Sequence, residues 1–156
     1  MAVLATHVWL HTYATDGIND LVAQYVLSRL TPEKYSHALS ESGVYFFVAE
    51  NDRNLIGFAA VELGIPCPTG ANSSAELRTL YVQEHHVGQG VGKALLRRAE
   101  SAAREYSGCA LWLAVNAKNA RAVAFYARQG YSKVGTTYFV LGEERHENHV
   151  LLGGRA

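Results

Sequence analysis

The amino-acid sequence predicts one mixed α/β domain in which helices and strands alternate without a regular repeat. Three observations support this class. Apolar residues change from helical spacing before residue 40 to the alternation of strands over 44–63. An almost continuous apolar run, CALWLAV at 109–115, is typical of a strand buried on both faces. The length of 156 residues, without an internal repeat, is that of a single domain over 1–156.

The first forty residues predict one strand and two helices. Residues 2–10 alternate loosely between apolar and polar, which predicts a first strand. Asp16 is placed to cap a helix that ends near Leu30, because apolar residues follow it at helical spacing. Thr31 followed by Pro32 is typical of the start of a second helix.

The middle of the chain predicts three strands and a long helix. Residues 44–50 and 54–63 read as strands joined by a polar turn, which indicates a hairpin. A loop rich in Pro, Gly and Ser at 64–74 leads to a strand at 75–82. The longest helix should run from about Gly90 to Tyr106.

The last part of the chain predicts a strand, a helix and two further strands. We place them at 109–115, 120–128, 131–141 and 148–153. Asn119 is at the N-cap position of the helix, and Gly130 follows its last turn. The charged segment 142–147 should be the turn between the two strands.

The composition excludes several classes of protein. Fourteen basic side chains balance fourteen acidic ones, which gives no support to binding of nucleic acid or anionic membranes. No apolar run reaches the ~18–20 residues of a membrane span. Cys67 and Cys109 are too few for a disulfide framework, and the N-terminus lacks the features of a signal peptide. We therefore expect a cytoplasmic protein with reduced cysteines.

The most informative motif is HVGQGVGKALL at 86–96, where three glycines at alternate positions precede the long helix. A P-loop needs a glycine where Val87 stands and a Ser or Thr where Ala94 stands. A dinucleotide-binding motif needs wider glycine spacing and an acidic residue after the next strand, which instead ends in Val115-Asn116. A tight turn without a ligand would need one glycine, whereas three favour backbone N–H groups that bind an anion at the helix N-terminus.

Two segments together resemble the GNAT superfamily of acyl-CoA-dependent N-acyltransferases. They are ELRTLYVQEHHVGQGVGKALLRRAE and LWLAVNAKNARAVAFYARQGYSKVG, within residues 75–135. Gly90 and Gly92 fit the family pattern of Arg or Gln, two residues, Gly, one residue, and Gly or Ala, while Val87 takes the Arg/Gln position. The resemblance implies a mixed, mostly antiparallel sheet of about six or seven strands with about four helices. The sheet would splay between its fourth and fifth strands, at 75–82 and 109–115.

The resemblance also implies acetyl-CoA as cosubstrate and assigns its contacts. The backbone of Leu80, Tyr81 and Val82 would pair with the pantetheine arm like an added strand. Asn119 would contact the pantetheine and Tyr126 would lie near the sulfur, although Asn119 also suits a plain N-cap and Tyr126 a core aromatic. The pyrophosphate would lie beside Val87, on the amides of Gly88, Gln89, Gly90, Val91, Gly92 and Lys93.

The expected chemistry needs a base and an acid. An alkyl amine has a pKa of about 10.4, so it is protonated near neutral pH and must lose a proton before it attacks. Glu76, at the start of the 75–82 strand, is the candidate base, with a surface carboxylate as the alternative. Tyr126 is the candidate acid for the departing thiolate, and a backbone N–H near 80–82 is the candidate donor to the oxyanion. Cys109 is predicted to be buried and Cys67 has no evident base partner in the sequence, so a cysteine nucleophile is not expected.

The sequence thus predicts an N-acetyltransferase that moves the acetyl group of acetyl-CoA to a primary amine of a small molecule or peptide. The amine would attack directly in a ternary complex, in a groove formed by 16–40, 64–74 and 142–147. The alternative is a non-catalytic acyl-CoA-binding sensor or interaction module on the same fold. A homodimer is a further expectation, and the histidines lack the spacing of a metal site.

Overall fold

The computed structural model describes residues 1–154, which form five α-helices, one turn of 3-10 helix and six strands. The helices are α1 (Ala2–Tyr13), α2 (Asp20–Arg29), α3 (Pro32–Ser40), α4 (Val91–Ser107) and α5 (Ala120–Arg128). The strands are β1 (Val44–Asn51), β2 (Asn54–Leu63), β3 (Ala75–Val82), β4 (Leu111–Asn116), β5 (Ser132–Leu141) and β6 (Glu144–Leu152). The 3-10 turn, Glu84–His86, follows β3.

The six strands form one sheet in the order β1-β2-β3-β4-β6-β5. Neighbouring strands are antiparallel except β3 and β4, which run parallel and pair only at Ala75 with Leu111 and at Glu76 with Trp112. Beyond these two pairs β3 and β4 separate, which opens a cleft toward their carboxyl ends. This confirms the predicted fold class and the predicted splay between the strands at 75–82 and 109–115.

Helices cover both faces of the sheet. On one face, α4 packs Leu96 and Ala99 against Val61 and Leu77, in a cluster that extends to α5. On the other face, α1 packs Leu4 and Ala5 around Phe58, which is fully buried. Burial of these apolar side chains on both faces stabilises the sheet and fixes the helices beside the cleft.

The strand predicted at 2–10 is wrong, because these residues lie in α1. Its buried residues are Leu4, Ala5 and Trp9, a spacing that matches a helix rather than an alternating strand. A short apolar segment with weak alternation fits either period, so packing against Phe58 decides the outcome. The sheet therefore has six strands, and the helices number five in the described residues instead of about four.

Most local signals agree with the structure. Thr31 caps α3, since its Oγ1 accepts a hydrogen bond from the Lys34 N–H at 3.3 Å. The hairpin between β1 and β2 turns at Asp52 and Arg53, both with positive φ. However, α2 begins later than expected, where Asn19 rather than Asp16 caps it by accepting from the Val22 N–H.

The last hairpin also differs from the prediction. The structure starts β6 at Glu144, with Leu141 paired to Glu144, so the turn is shorter than 142–147. Charged residues continue the strand because β5 and β6 pair along their whole length at the edge of the sheet, where exposed side chains cost little.

Candidate active site

The cleft between β3 and β4 has a volume of about 510 Å³ and extends from the loop before α4 to α1. It collects most of the predicted cosubstrate contacts. The predicted residues that line it are Leu80, Tyr81, Val82, Val87, Gly88, Gly90, Gly92, Lys93, Asn119 and Tyr126. Among the predicted residues, Gln89, Val91 and Glu76 do not belong to this lining in the described chain.

The three glycines at the start of α4 differ in how strictly the structure requires glycine. Gly88 and Gly90 have φ angles of +81° and +87°, which other residues rarely adopt, although a β carbon at either would meet open space. Gly92 has an ordinary conformation, and a β carbon there would touch Phe125 at 3.6 Å and Val82 at 3.7 Å. The backbone therefore demands glycine at 88 and 90, while the space at 92 admits alanine.

The N-terminus of α4 is open to an anion. Gly90 is its N-cap and offers no side chain to accept from the first amides. The first intrahelical hydrogen bond is donated by the Ala94 N–H to the Gly90 carbonyl, at 3.0 Å. The N–H groups of Val91, Gly92 and Lys93 thus have no helical partner, and the first turn contains no acidic residue. Free donors and the helix dipole together favour a phosphate here.

The N-terminus of α5 is closed by its own sequence. The Asn119 Oδ1 accepts from the Ala122 N–H at 3.1 Å, so Asn119 is an N-cap. Its side chain also lies beside the hydroxyl of Tyr13, whose pKa is raised by burial and lowered by this contact. Asn119 therefore faces the cleft while it caps the helix.

Tyr126 lies on α5, is 8% exposed and belongs to the cleft lining. Its ring packs against Tyr131, with centroids 5.6 Å apart. Burial, with a smaller contribution from Tyr13, raises the pKa of Tyr126 well above its usual value. The hydroxyl is therefore protonated at neutral pH and available as a donor.

Comparison with known proteins identifies the family of the chain. The model of the acetyltransferase (GNAT) family matches residues 8–131. The chain belongs to the GNAT acetyltransferase family. An uncharacterized N-acetyltransferase of Mycobacterium tuberculosis is 28% identical over 131 residues, which are 84% of this chain and 80% of that protein. Streptothricin acetyltransferase of Streptomyces lavendulae is 34% identical over 90 residues, 58% of this chain and 45% of that protein.

Solved structures show the same GNAT fold. The PaiA N-acetyltransferase of Thermoplasma acidophilum, in complex with coenzyme A, matches with a TM-score of 0.80 and 23% identity, over 99% of this chain and 90% of that chain. Nourseothricin acetyltransferase matches with a TM-score of 0.60 and 29% identity, over 70% and 65% of the two chains. The protein is an acyltransferase with acetyl-CoA as its cosubstrate, which its open α4 N-terminus and splayed strands suit.

Glu76 lies at the closed end of the GNAT cleft. It stands opposite Glu62 on β2 and beside Trp112 on β4. Burial raises its pKa, and the nearby Glu62 adds to this while Arg78 opposes it. Arg78, two residues further along β3, lines the cleft, and its Nη1 is 2.8 Å from a carboxylate oxygen of Glu62.

A β-bulge in β3 marks the point where the cleft opens. Ala60 pairs with Thr79 and Val61 with Leu77, so Arg78 is the extra residue on β3. A bulge interrupts the hydrogen-bond ladder and bends its strand. Sequence reasoning did not identify this bulge, because no residue type in ELRTLYV indicates one.

Other residues of the site come from elements that sequence reasoning missed or left unassigned. Three cleft residues, Val8, Thr12 and Tyr13, belong to α1, whose helical period the loose alternation at 2–10 concealed. Arg121, in the first turn of α5, also lines the cleft. In residues 1–154 no group of three or more His, Cys, Asp or Glu could hold a metal ion, and no helix is long and apolar enough to cross a membrane.

Proposed function

We propose that this protein transfers the acetyl group of acetyl-CoA to a primary amine of a small molecule or peptide, by direct attack in a ternary complex. One observation carries the proposal: a single cleft joins the open N-terminus of α4 to polar groups on the other face of the sheet. A cosubstrate bound by its phosphates at the first end reaches an acceptor at the second, where Thr12, Arg78 and Thr79 lie.

The backbone of β3 supports the pantetheine contact. Only Ala75 and Glu76 of β3 pair with β4. In the part of the chain that the structure describes, the backbone groups from Leu80 to Val82 therefore have no strand partner on the cleft side. Such an edge binds an extended amide chain as it would bind another strand. An N–H in this segment is also our proposed donor to the oxyanion that forms on the thioester carbonyl.

Tyr126 is the proposed general acid. The amine attacks the thioester carbon, and the C–S bond breaks to release the CoA thiolate, which takes the Tyr126 hydroxyl proton. Burial raises the pKa of Tyr126, which keeps the hydroxyl protonated but makes it a weaker acid, so the support for this role is the position of Tyr126 in the cleft lining rather than its acidity.

Glu76 is the proposed general base, acting through water. Its place at the closed end of the cleft, outside the lining, requires a relay for the proton of the amine. Its raised pKa brings the carboxylate closer to the operating pH, which makes it a more effective proton acceptor than an ordinary surface glutamate.

The test is an assay of CoA thiol release against a panel of amines. The panel contains a polyamine, amino acids, an aminoglycoside and peptides with a free N-terminus. It also includes a streptothricin, since a relative is named streptothricin acetyltransferase. We expect release that depends on one class of amine. Binding of acetyl-CoA without turnover on any acceptor would instead favour the CoA-binding sensor.

Direct transfer has a separate test. Intact-mass measurement of the protein with acetyl-CoA and no amine should show an unmodified chain, and an acetylated protein would contradict the ternary mechanism. A cytoplasmic location and a homodimer stay predictions, which fractionation and light scattering address.

A further inference from the structure

The loop that faces the phosphates of acetyl-CoA provides little positive charge of its own. Val87 lines the cleft with an apolar side chain that is 39% exposed. The N-terminus of α4 is equivalent to roughly half a positive charge. Each phosphate of a pyrophosphate carries a negative charge, so a cationic side chain elsewhere on the cleft would balance charge that the helix end leaves uncompensated.

Within residues 1–154, four cationic side chains line the cleft, and their positions differ. Arg78 is paired with Glu62 at the acceptor end, and Arg128 lies in the last turn of α5. Lys93 lies in the first turn of α4 and Arg121 in the first turn of α5, so these two are nearest the loop. Arg121 alone of this pair offers the planar fork of donors that matches a phosphate.

The guanidinium of Arg121 is held by a carboxylate from the opposite side of the cleft. Its Nη1 donates to Glu84 Oε1 at 2.8 Å and its Nη2 donates to Glu84 Oε2 at 3.0 Å. Glu84 lies in the 3-10 turn between β3 and the glycine loop, whereas Arg121 follows β4. His11 of α1 provides Glu84 with a second partner, with its Nε2 3.4 Å from Oε2.

We propose that Arg121 binds the pyrophosphate of acetyl-CoA, the role for which Val87 has no suitable side chain, and that Glu84 holds the guanidinium until a phosphate replaces the carboxylate. Carboxylate and phosphate both accept two hydrogen bonds from a guanidinium, so the exchange preserves the paired hydrogen bonds of Arg121. Glu84 keeps His11 as a neighbour after Arg121 turns away, which lowers the cost of the exchange. This inference rests on acetyl-CoA binding in the cleft.

Calorimetric titration of acetyl-CoA tests the role of Arg121 without any acceptor. Arg121→Ala should weaken binding roughly tenfold to a hundredfold, the range of a hydrogen bond to a charged group. Arg97→Ala is the matched control, because it removes one positive charge from the exposed side of α4, outside the cleft lining. Unchanged affinity in Arg121→Ala, with wild type binding, would overturn the inference alone. A wild type that binds no acetyl-CoA would overturn the proposed function as well.

Glu84→Gln tests whether the Glu84–Arg121 ion pair competes with ligand binding or only stabilises the fold. If Glu84 competes with phosphate, the variant releases Arg121 and binds acetyl-CoA more tightly than wild type. Unchanged or weaker binding would contradict the competition. Thermal unfolding of each variant shows whether the fold is retained.

Two further titrations test whether Arg121 binds the pyrophosphate or the 3′-phosphate of acetyl-CoA. Val87→Arg in the Arg121→Ala background should restore affinity, because it returns a guanidinium to the loop, and no recovery would contradict a shared role. Arg121→Ala should lose the same factor with 3′-dephospho-acetyl-CoA as with acetyl-CoA. A loss confined to the 3′-phosphorylated ligand would overturn the assignment to the pyrophosphate.

Discussion

The two helices that begin at the cleft differ in how their N-termini are capped. α4 follows β3 and is capped by Gly90, so its first amides have no side-chain acceptor. α5 follows β4 and is capped by Asn119, whose side chain takes up the Ala122 N–H. Both helices have strongly apolar sides packed in the same cluster, so the difference is confined to their ends.

Because of this difference, the two sides of the cleft offer a ligand different kinds of groups. On the β3 side, ligand binding depends on main-chain groups: the glycine loop, the α4 amides and the free edge of β3. On the β4 side the helix end is satisfied internally, so α5 contributes side chains, Asn119, Arg121 and Tyr126. Substitutions should therefore act through side-chain chemistry on α5 and through backbone conformation before α4.

Tyr126→Phe tests the side-chain part of this division and should have the largest effect. Removal of a general acid lowers kcat by about 10²–10⁴-fold. The acetyl-CoA KM should change little, because the phosphate contacts are elsewhere. Steady-state kinetics with chemistry shown to be rate-limiting measure both.

Tyr131→Phe is the matched control for Tyr126→Phe. It removes another buried hydroxyl, which donates to Glu100 at 3.1 Å outside the cleft lining. It should lower stability and leave kcat near the wild-type value. An equal fall in kcat for the two variants would indicate a packing effect and contradict the acid role.

Glu76→Gln tests the one side chain of β3 that is proposed to act in the chemistry. Loss of the base should lower kcat/KM by up to about 10²-fold. Because burial raises the pKa of Glu76, the wild-type rate should fall with decreasing pH at a pH above the usual range of a glutamate. The variant should lack this fall at low pH, which pH–rate profiles measure. If both the fall and the rate are preserved in the variant, another group is the base.

The same substitution has a stability signature of known sign. A carboxyl whose pKa is higher in the folded than in the unfolded state favours folding while protonated. Wild-type stability should therefore decrease as pH rises through the raised pKa of Glu76, and Glu76→Gln should remove this decrease. Urea unfolding at several pH values measures it.

Gly90→Ala compared with Gly92→Ala tests the backbone part of the division. A left-handed residue other than glycine costs roughly 1–2 kcal/mol, so Gly90→Ala should raise the acetyl-CoA KM by about tenfold if the loop shifts to relieve it. Gly92→Ala needs only ordinary contacts with Phe125 and Val82 and should have a much smaller effect. Equal effects would show that conformation at Gly90 is not what organises the loop.

Asn119→Ala should have the smallest effect on catalysis and a clear effect on stability. Loss of an N-cap lowers the free energy of unfolding by about 0.5–2 kcal/mol. Thr31→Ala is the matched control, because it removes the cap of α3 away from the cleft. Only the Asn119 variant should also raise the acetyl-CoA KM. If both variants lose stability alone, Asn119 is a plain N-cap.

Much of this fold was predictable because its signals are local. The caps Thr31 and Asn119 were predicted correctly, since a cap depends on a few adjacent residues. The hairpin at 44–63 follows from alternation around a polar turn. The α1 helix was not predicted, because loose alternation over 2–10 fits two periods and only burial against Phe58 separates them.

The sequence by itself determined the strand and helix order from residue 31 onward, the glycine loop before α4 and the family to which the chain belongs. Only the tertiary structure decided that Glu84 meets Arg121 across 37 residues, that Tyr13 reaches Asn119, that Arg78 bulges from β3, and that Glu76 lies outside the cleft lining. Sequence patterns predict local backbone conformation and periodicity. These contacts instead join segments that are distant in the sequence, and their proximity depends on how β3 and β4 separate.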